Sequence, residues 1–233
     1  MARLGIDIWS DIACPWCYIG KRRLEKALAN FPGRESVHIV WHAFELNPSA
    51  PREDSAGKYS ERIAKKYGTS ASDAEGMISR MTDVAKAEGL NFDFEIIRPG
   101  NTFDAHRLLH LALRQGLQDT VKERFLRAYF SEGEAISDTK TLLRLAVDAG
   151  LEAEQVQAVL ESDAYAREVR EDEAEARELG INGVPFFVLA ERYAVSGAQP
   201  SEVLEQALEQ AHRAIEEPAP EYSEEAVCGP DGC

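Results

Sequence analysis

Residues 5–28 read GIDIWSDIACPWCYIGKRRLEKAL, and within them Cys14-Pro15-Trp16-Cys17 separates a strand-like run from a helix-like run. A cysteine at the start of a helix meets unpaired N–H groups and the positive end of the helix dipole, and both favour the thiolate. Cys17 follows one turn later on the same face, so the pair can close into a disulfide. The stretch therefore predicts a redox-active cysteine pair.

Two other interpretations of this CxxC stretch remain open. It could supply half of a zinc site, or the two cysteines could be neighbours by chance. The strand before Cys14 and the helix after Cys17 favour the redox interpretation, and Pro15 suits a first helical turn because its missing N–H has no partner there anyway. No metal and no cofactor are expected at this pair.

The composition is that of a soluble globular protein. The chain has 233 residues, of which 44% are hydrophobic and 29% are charged, so it can bury a sizeable core. The 41 acidic and 26 basic residues give a formal net charge of -15. This charge argues against a nucleic acid or an anionic membrane as a partner.

The first residues contain neither an apolar signal-peptide core nor a small-residue cleavage site. No apolar run in the sequence is long enough to span a bilayer. We therefore expect a cytoplasmic protein. In that compartment cysteine pairs are more often catalytic, redox-sensing or metal-binding than structural.

Hydrophobic periodicity predicts an α/β fold. Residues 5–9 and 37–44 read as strands joined by a helix, which favours a parallel pair with a right-handed crossover. Residues 57–180 read almost entirely as helix. Two short strands, 186–190 and 193–196, then form a hairpin before a closing helix. This order, βαβ…ββα, is typical of a thioredoxin-like sheet interrupted by a large all-helical insertion.

The pattern divides the chain into four segments. They are the first part of the thioredoxin-like domain (1–50), the helical insertion (51–179), the second part of the thioredoxin-like domain (180–217) and an extended C-terminal tail (218–233).

Two pairs of histidines are spaced four apart. His38 and His42 share one face of the second strand and are expected to be partly buried and hydrogen-bonded. His106 and His110 lie on a helix with the spacing of a two-histidine metal site, but no Glu follows His106 as a HExxH motif requires. No metal is expected at either pair.

The chain resembles the DsbA-like thioredoxin superfamily and, within it, the cytoplasmic FrnE-like disulfide oxidoreductases. The resemblance spans residues 4 to 215. Four motifs carry it: DIACPWCYIG (11–20), NTFDAHR (101–107), GVPFF (183–187) and VSGAQ (195–199). The first and third together are specific to the superfamily, and the second points to the FrnE-like subgroup.

The resemblance implies a cis peptide bond between Val184 and Pro185 beside Cys14. In similar proteins this bond leaves an extended backbone edge, with which a substrate segment can pair as an added strand. The implied reaction is thiol–disulfide exchange, in which Cys14 is the nucleophile and Cys17 resolves the mixed disulfide. The intervening Pro15 and Trp16 tune the reactivity of Cys14.

The direction of electron flow stays open at this point. A carboxylate at Asp11, if it lies near Cys14, would oppose formation of the thiolate. The expected partners are proteins with disulfides or free thiols and an unidentified thiol reductant or oxidant. A cytoplasmic location favours a reducing or isomerising role, or the repair of disulfides that form under oxidative stress.

The C-terminal tail contains a second pair of cysteines. Residues 216–221 read as an extended charged linker, and a Gly-Pro-Asp-Gly turn separates Cys228 from Cys233. Such a turn would bring the two sulfurs within bridging distance. We hypothesise a second redox pair that exchanges electrons with Cys14 and Cys17 or shields them. A tail with idle cysteines, or one zinc ion shared by all four cysteines, are the alternatives.

Two other functional classes fit the same architecture. Kappa-class glutathione transferases and 2-hydroxychromene-2-carboxylate isomerases resemble this chain in fold and bind glutathione, but they generally have a hydroxyl residue at the position of Cys14 and lack the paired cysteines. A non-enzymatic holdase chaperone could instead use the apolar surface of the helical block. The presence of both Cys14 and Cys17 favours the oxidoreductase.

Overall fold

The computed structural model describes residues 3–52 and 58–216. The predicted tail, 218–233, with Cys228 and Cys233, lies outside these ranges. The first elements are β1 (Leu4–Ser10), α1 (Pro15–Ala29), a short 3-10 turn (Arg34–Ser36) and β2 (Val37–Ala43). The last are β3 (Phe186–Leu189), β4 (Tyr193–Ser196) and α9 (Ser201–Glu216).

Seven helices separate β2 from β3 in the described chain. They are α2 (Tyr59–Tyr67), α3 (Ala71–Ala87), α4 (Phe103–Arg114), α5 (Gln118–Ser131), α6 (Thr139–Asp148), α7 (Ala153–Leu160) and α8 (Ala166–Glu178). Local signals set several of their ends. The Ser70 side chain caps α3 by accepting from the Asp73 N–H, and Gly68 ends α2 in the left-handed region at φ 63°.

The four strands form one sheet in the order β2-β1-β3-β4. β1 pairs in parallel with β2, and β3 is antiparallel to both β1 and β4. One face of β1 is buried against α1 and α9, whereas on the other face Trp9 packs against α8 and the remaining residues are partly buried. The predicted fold class, a thioredoxin-like sheet with inserted helices, is confirmed. The boundaries proposed at 50/51 and 179/180 stay predictions.

The active-site helix α1 contributes to two hydrophobic cores. Leu24 and Ala27 join the core that the sheet shares with α9. Ile19 and the residue before it, Tyr18, join the core of the helical block. The two faces of α1 are therefore anchored in different parts of the fold, which fixes the helix that carries the cysteine pair.

Close packing at Gly20 supports this arrangement and gives a first prediction. A Cβ at Gly20 would lie 2.9 Å from Cγ of Pro185 and 3.3 Å from Cζ of Phe187. Gly20→Ala should therefore force α1 away from the loop before β3 and lower the free energy of unfolding by about 1–3 kcal/mol, measured by chemical denaturation. Gly5→Ala is the matched control, since nothing lies within 4 Å of its added Cβ. An equal loss in both variants would contradict the packing argument.

Candidate active site

The first cysteine occupies the N-cap position of α1, and the second lies within the first turn. Pro15 is the first helical residue, and the N–H of Cys17 donates to the carbonyl oxygen of Cys14 at 3.0 Å. Cys14 is 4% exposed, whereas Cys17 is fully buried. Of the two cysteines, Cys14 alone lines a groove that is open to solvent.

The loop before β3 closes over Cys14. Its Sγ lies 3.5 Å from the carbonyl oxygen of Val184, which can accept the thiol proton. The Val184–Pro185 peptide bond is cis. The N–H of Gly197 donates to the carbonyl oxygen of Pro185 at 2.8 Å, which ties this loop to the end of β4. The structure thus brings together two motifs that lie 170 residues apart.

An apolar groove of about 620 Å³ opens beside Cys14. Trp16, Leu46 and Tyr67 are among the most exposed large hydrophobic residues of the described chain, and all three line it. Lys66 and Arg80 add positive charge to its lining. Trp16 therefore belongs to the exposed apolar lining of the groove. Exposed apolar surface of this kind marks a site for binding a partner.

The two sulfurs interact so closely that they ionise as a pair. The hydrogen bond to Cys17 and burial raise the pKa of the Cys14 thiol well above its ordinary value. Burial also acts to raise the pKa of Cys17, but the hydrogen bond from Cys14, the charge of Lys122 and the Ser10 hydroxyl outweigh it and lower that pKa. Helix geometry alone predicts the thiolate at Cys14, whereas these contacts within the buried pair oppose it.

A buried carboxylate and histidine lie next to the cysteines. Asp11 and His106 are each 1% exposed, and their Oδ1 and Nε2 atoms are 3.3 Å apart. Burial acts to raise the pKa of Asp11, but the hydrogen bond and charge of His106 lower it. The resulting negative charge contributes to the raised pKa of Cys14. This agrees with the effect that the sequence predicts for Asp11.

Two of the buried polar residues around the sulfurs, Ser10 and Lys122, escaped the sequence analysis as functional groups. His106 was considered there only as a metal ligand, although it is also part of the NTFDAHR motif. Nothing in the sequence around Lys122 distinguishes it from a surface lysine of an amphipathic helix. Its burial depends on the docking of α5 against β1 and β2, which is a tertiary event.

A second cluster of charges joins α8 and α4 to the sheet, away from the cysteine pair. His42 contacts Asp172 and Asp7 through its two ring nitrogens, each at 2.9 Å, and stacks on Trp9 with ring centroids 4.5 Å apart. His110 contacts the other oxygen of Asp172 at 3.0 Å. Burial acts to lower the pKa of His42, but hydrogen bonds to both carboxylates raise it to about 9.

His42, His106 and His110 are thus each hydrogen-bonded to a carboxylate. Ligand atoms of His42, Asp172 and Glu175 lie within 4.8 Å of one another, but a histidine with carboxylates on both nitrogens is held as an imidazolium, which cannot ligate a metal. His106 and His110 have different partners, Asp11 and Asp172. His42 is partly buried and hydrogen-bonded as predicted, but the prediction was wrong for His38, which is exposed.

The raised pKa of His42 predicts a pH-dependent stability. Because this pKa is about 9 in the folded protein and near 6.5 when unfolded, His42 stabilises the fold fully below pH 6.5 and progressively less as the pH rises to about 9. Its contribution is about 3 kcal/mol. We expect the difference in unfolding free energy between the native protein and His42→Gln to shrink across this range in urea titrations. Parallel pH profiles of the two proteins would contradict the prediction.

Among the helices of the described residues, none combines the length and apolar character that crossing a membrane demands.

Comparison with known proteins gives a consistent picture. A family model described as the DSBA-like thioredoxin domain matches residues 5–209. The "Uncharacterized protein YwbO" of Bacillus subtilis (strain 168) is 28% identical over 206 residues, which cover 87% of this chain and 94% of YwbO. The crystal structure of "probable DsbA oxidoreductase SCO1869" from Streptomyces coelicolor is 47% identical and superposes with a TM-score of 0.87, covering 99% of this chain and 98% of that one.

The fold also occurs in a protein of different activity. A structure of 2-hydroxychromene-2-carboxylate isomerase is 19% identical, with a TM-score of 0.65 over 90% of this chain and 97% of that chain. At this identity the likeness concerns the fold alone. The family match, by contrast, runs through the cysteine pair, the helical block and the strands that follow it, and this chain belongs to the DSBA-like thioredoxin domain family of oxidoreductases.

Proposed function

We propose that the protein is a thiol–disulfide oxidoreductase or isomerase that acts on protein disulfides, with Cys14 as the nucleophile and Cys17 as the resolving thiol. The observation that carries this proposal is the asymmetry of the pair. Cys14 borders the apolar groove and lies 3.5 Å from the Val184 carbonyl oxygen, whereas Cys17 is fully buried behind it.

The reaction begins when the Cys14 thiol loses its proton to solvent. The Cys14 thiolate attacks one sulfur of a substrate disulfide, so a Cys14–substrate bond forms, the substrate S–S bond breaks, and the other substrate cysteine leaves as a thiolate. Cys17 then loses a proton and attacks Cys14, which releases the second substrate cysteine. Two electrons pass from the dithiol to the substrate. An external thiol reductant must then supply two electrons to reopen the Cys14–Cys17 disulfide.

Isomerisation follows from the same intermediate. If a second thiol of the substrate attacks the mixed disulfide before Cys17 does, Cys14 leaves again as a thiolate and no net oxidation occurs. Run in reverse, the full sequence oxidises a substrate dithiol. The position of the equilibrium against the cellular thiol pool decides which direction dominates.

The proposed substrate is an extended polypeptide segment with apolar residues next to its cysteine. Val184 and Pro185 would offer backbone beside Cys14 for pairing, and the groove lined by Trp16, Tyr59 and Met81 would hold the neighbouring side chains. Pro15 and Trp16 between the cysteines would tune Cys14. Unfolded or damaged proteins present segments of this kind.

The cellular setting belongs to the same proposal. We place the protein in the cytoplasm, as a FrnE-like enzyme that reduces, isomerises or repairs disulfides formed under oxidative stress. The partners would be proteins with disulfides or free thiols and a thiol reductant or oxidant.

The tail would provide the second redox pair. Cys228 and Cys233 lie outside the described residues, so the support for this pair is their spacing around Gly-Pro-Asp-Gly. The pair would exchange electrons with Cys14 and Cys17 or shield them. In the double variant Cys228→Ser/Cys233→Ser, we expect slower recovery of reduced Cys14 after each turnover. Unchanged turnover and unchanged recovery would exclude a role for this pair.

A redox titration tests the proposed function directly. The intact protein is equilibrated in glutathione buffers of graded potential, alkylated, and mapped by mass spectrometry. We expect Cys14 and Cys17 to titrate together as one disulfide, and Cys228 and Cys233 as a separate one. If Cys14 and Cys17 formed no disulfide at any potential, the proposed oxidoreductase activity would be wrong.

The fold likeness to 2-hydroxychromene-2-carboxylate isomerase keeps a glutathione-dependent transferase or isomerase of the kappa-class type as the second candidate. That candidate predicts saturable glutathione binding and activity that survives in Cys17→Ser. A holdase chaperone, the third candidate, predicts that suppression of client aggregation survives in Cys14→Ser without any exchange activity.

A further inference from the structure

The turn that follows β4, residues 197–199, belongs to the VSGAQ motif and has no part in the proposed mechanism. It holds the loop before β3 by one backbone bond, in which the Gly197 N–H donates to the carbonyl oxygen of Pro185 at 2.8 Å. Gly197 has φ 80°, a left-handed conformation that glycine adopts freely. The side-chain amide of Gln199 braces the turn by donating to the Ser196 carbonyl oxygen at 2.8 Å. The turn therefore helps to fix the position of that loop.

Arg23 on α1 binds the same turn. Its Nη1 donates to the carbonyl oxygen of Ala198 and its Nε to a carboxylate oxygen of Glu88, each at 2.6 Å. Glu88 is the C-cap residue of α3, and the side chains of Arg23 and Glu88 are 18% and 16% exposed. Charge-assisted bonds in a partly buried place are among the stronger polar contacts of a protein, and a planar guanidinium can serve both acceptors at once.

Close packing joins α1 to both the turn and the loop. Gly20 lies one helical turn before Arg23 and shares its face of α1. A Cβ at Gly20 would lie 2.9 Å from Cγ of Pro185 and 3.6 Å from Cβ of Ala198. This packing leaves no room for the loop to approach α1 more closely, and the bond from Arg23 to Ala198 opposes movement of the turn away from α1.

A continuous set of contacts thus runs from Arg23 to the reacting sulfur. The Arg23 guanidinium holds the Ala198 carbonyl oxygen. The N–H one residue earlier in the turn holds the carbonyl oxygen of Pro185. The carbonyl oxygen that precedes this proline lies 3.5 Å from Sγ of Cys14. After Arg23, the contacts that reach the loop are made by backbone atoms, so a shift of the turn must shift the loop as well.

We propose that Arg23 is a positioning residue, which sets the distance of the Val184–Pro185 backbone from Cys14 by holding the 197–199 turn. Arg23 is absent from the lining of the groove beside Cys14, so it acts through the turn and not by contact with a client. The inference rests on the proposed function, in which a client segment pairs with this backbone. It adds the side chain that keeps the pairing edge aligned with the nucleophile, and it gives the VSGAQ motif a role.

The position of this backbone matters for a polypeptide client but not for a small disulfide. A client that pairs with the edge brings its sulfur to Cys14 at a distance that the edge sets, and a displacement of about 1 Å is enough to spoil such an alignment. Hydroxyethyl disulfide has no backbone to pair and approaches Cys14 independently of the edge. Loss of Arg23 should therefore separate the two kinds of substrate, whereas a general loss of structure should affect both.

Arg23→Met removes both hydrogen bonds and keeps the apolar part of the side chain. In turnover of the full chain with excess glutathione, we expect KM for a peptide disulfide to rise about tenfold, while kcat/KM for hydroxyethyl disulfide stays within about twofold. Glu88→Gln removes the ion pair to α3 but leaves the bond to Ala198, so it should keep the native KM for the peptide. Lys26→Met is the matched control at an exposed position on α1 and should change neither value.

The failure of this inference is distinguishable from failure of the proposed function. An unchanged peptide KM in Arg23→Met, an equal loss with both substrates, or an equal rise of KM in Glu88→Gln would overturn the role of Arg23 while the oxidoreductase stands. If the native protein reduces neither substrate, the proposed function fails and the inference fails with it. If Arg23→Met does not fold, Arg23→Gln takes its place, because it keeps a polar group in this partly buried position but is too short to hold Ala198. The same separation of substrates is then expected, and its absence would overturn the inference.

Discussion

Cys14→Ser should lower the rate of thiol–disulfide exchange by about 10³-fold or more, because a serine hydroxyl is not ionised near neutral pH and cannot form the mixed disulfide. The measurement is the reduction of a small disulfide-bonded protein by the pre-reduced enzyme. The variant should still fold, since an oxygen replaces a sulfur in a small site whose hydrogen bond to the Val184 carbonyl oxygen can be kept.

Cys17→Ser provides the matched control for this result. Cys14 remains as a nucleophile, but the mixed disulfide cannot be resolved, so a covalent adduct between Cys14 and the substrate should accumulate and be visible by mass spectrometry. Cys14→Ser could retain some exchange activity that disappears when Cys228 and Cys233 are also replaced. This result would show that the tail cysteines catalyse the residual exchange. Full exchange in Cys14→Ser would contradict the mechanism.

Arg107→Met should lower the free energy of unfolding by about 3–5 kcal/mol. The Arg107 side chain is 4% exposed, and its guanidinium donates to the carbonyl oxygens of Val159, Ser162 and Ala164 and to Asp104. It thereby holds the loop between α7 and α8 against α4. The substitution leaves these buried acceptors without a donor, and the measurement is a denaturant titration.

Arg114→Met is the matched control for Arg107, because Arg114 ends the same helix but is exposed. We expect it to change stability by no more than about 0.5 kcal/mol. Exchange activity per folded molecule should be unaffected in both variants, since neither residue lines the groove beside Cys14. A similarly small change in the free energy of unfolding of the two variants would show that the carbonyl oxygens bonded by Arg107 do not need its guanidinium.

Elements whose signals are local could be predicted from the sequence. The strand that leads to Cys14 and the helix that starts at Pro15 depend on neighbours a few residues away. The close approach of residues 183–187 to the cysteine pair was predicted from a family motif. The structure shows it as the contact between Cys14 and Val184.

The ionisation of the pair could not be predicted in this way. It depends on His106, which is 95 residues from Asp11, and on Lys122, which is 112 residues from Ser10. Helix geometry favours a thiolate at Cys14, but the hydrogen bond to Cys17 and burial raise the pKa of that thiol. His38 and His42 make the same point, because they share a strand face but only His42 meets the Asp172 carboxylate of α8.

The two sides of the groove are anchored unequally. On one side is α1, whose faces are embedded in two hydrophobic cores, and on the other is α2, which buries none of its residues fully and packs mainly against α3. One wall of the groove is therefore held rigidly, whereas the other is less constrained. The reacting sulfur keeps its position while the opposite wall adjusts to side chains of different size, so we expect broad tolerance for the sequence around a client cysteine together with strict geometry at the cysteine itself.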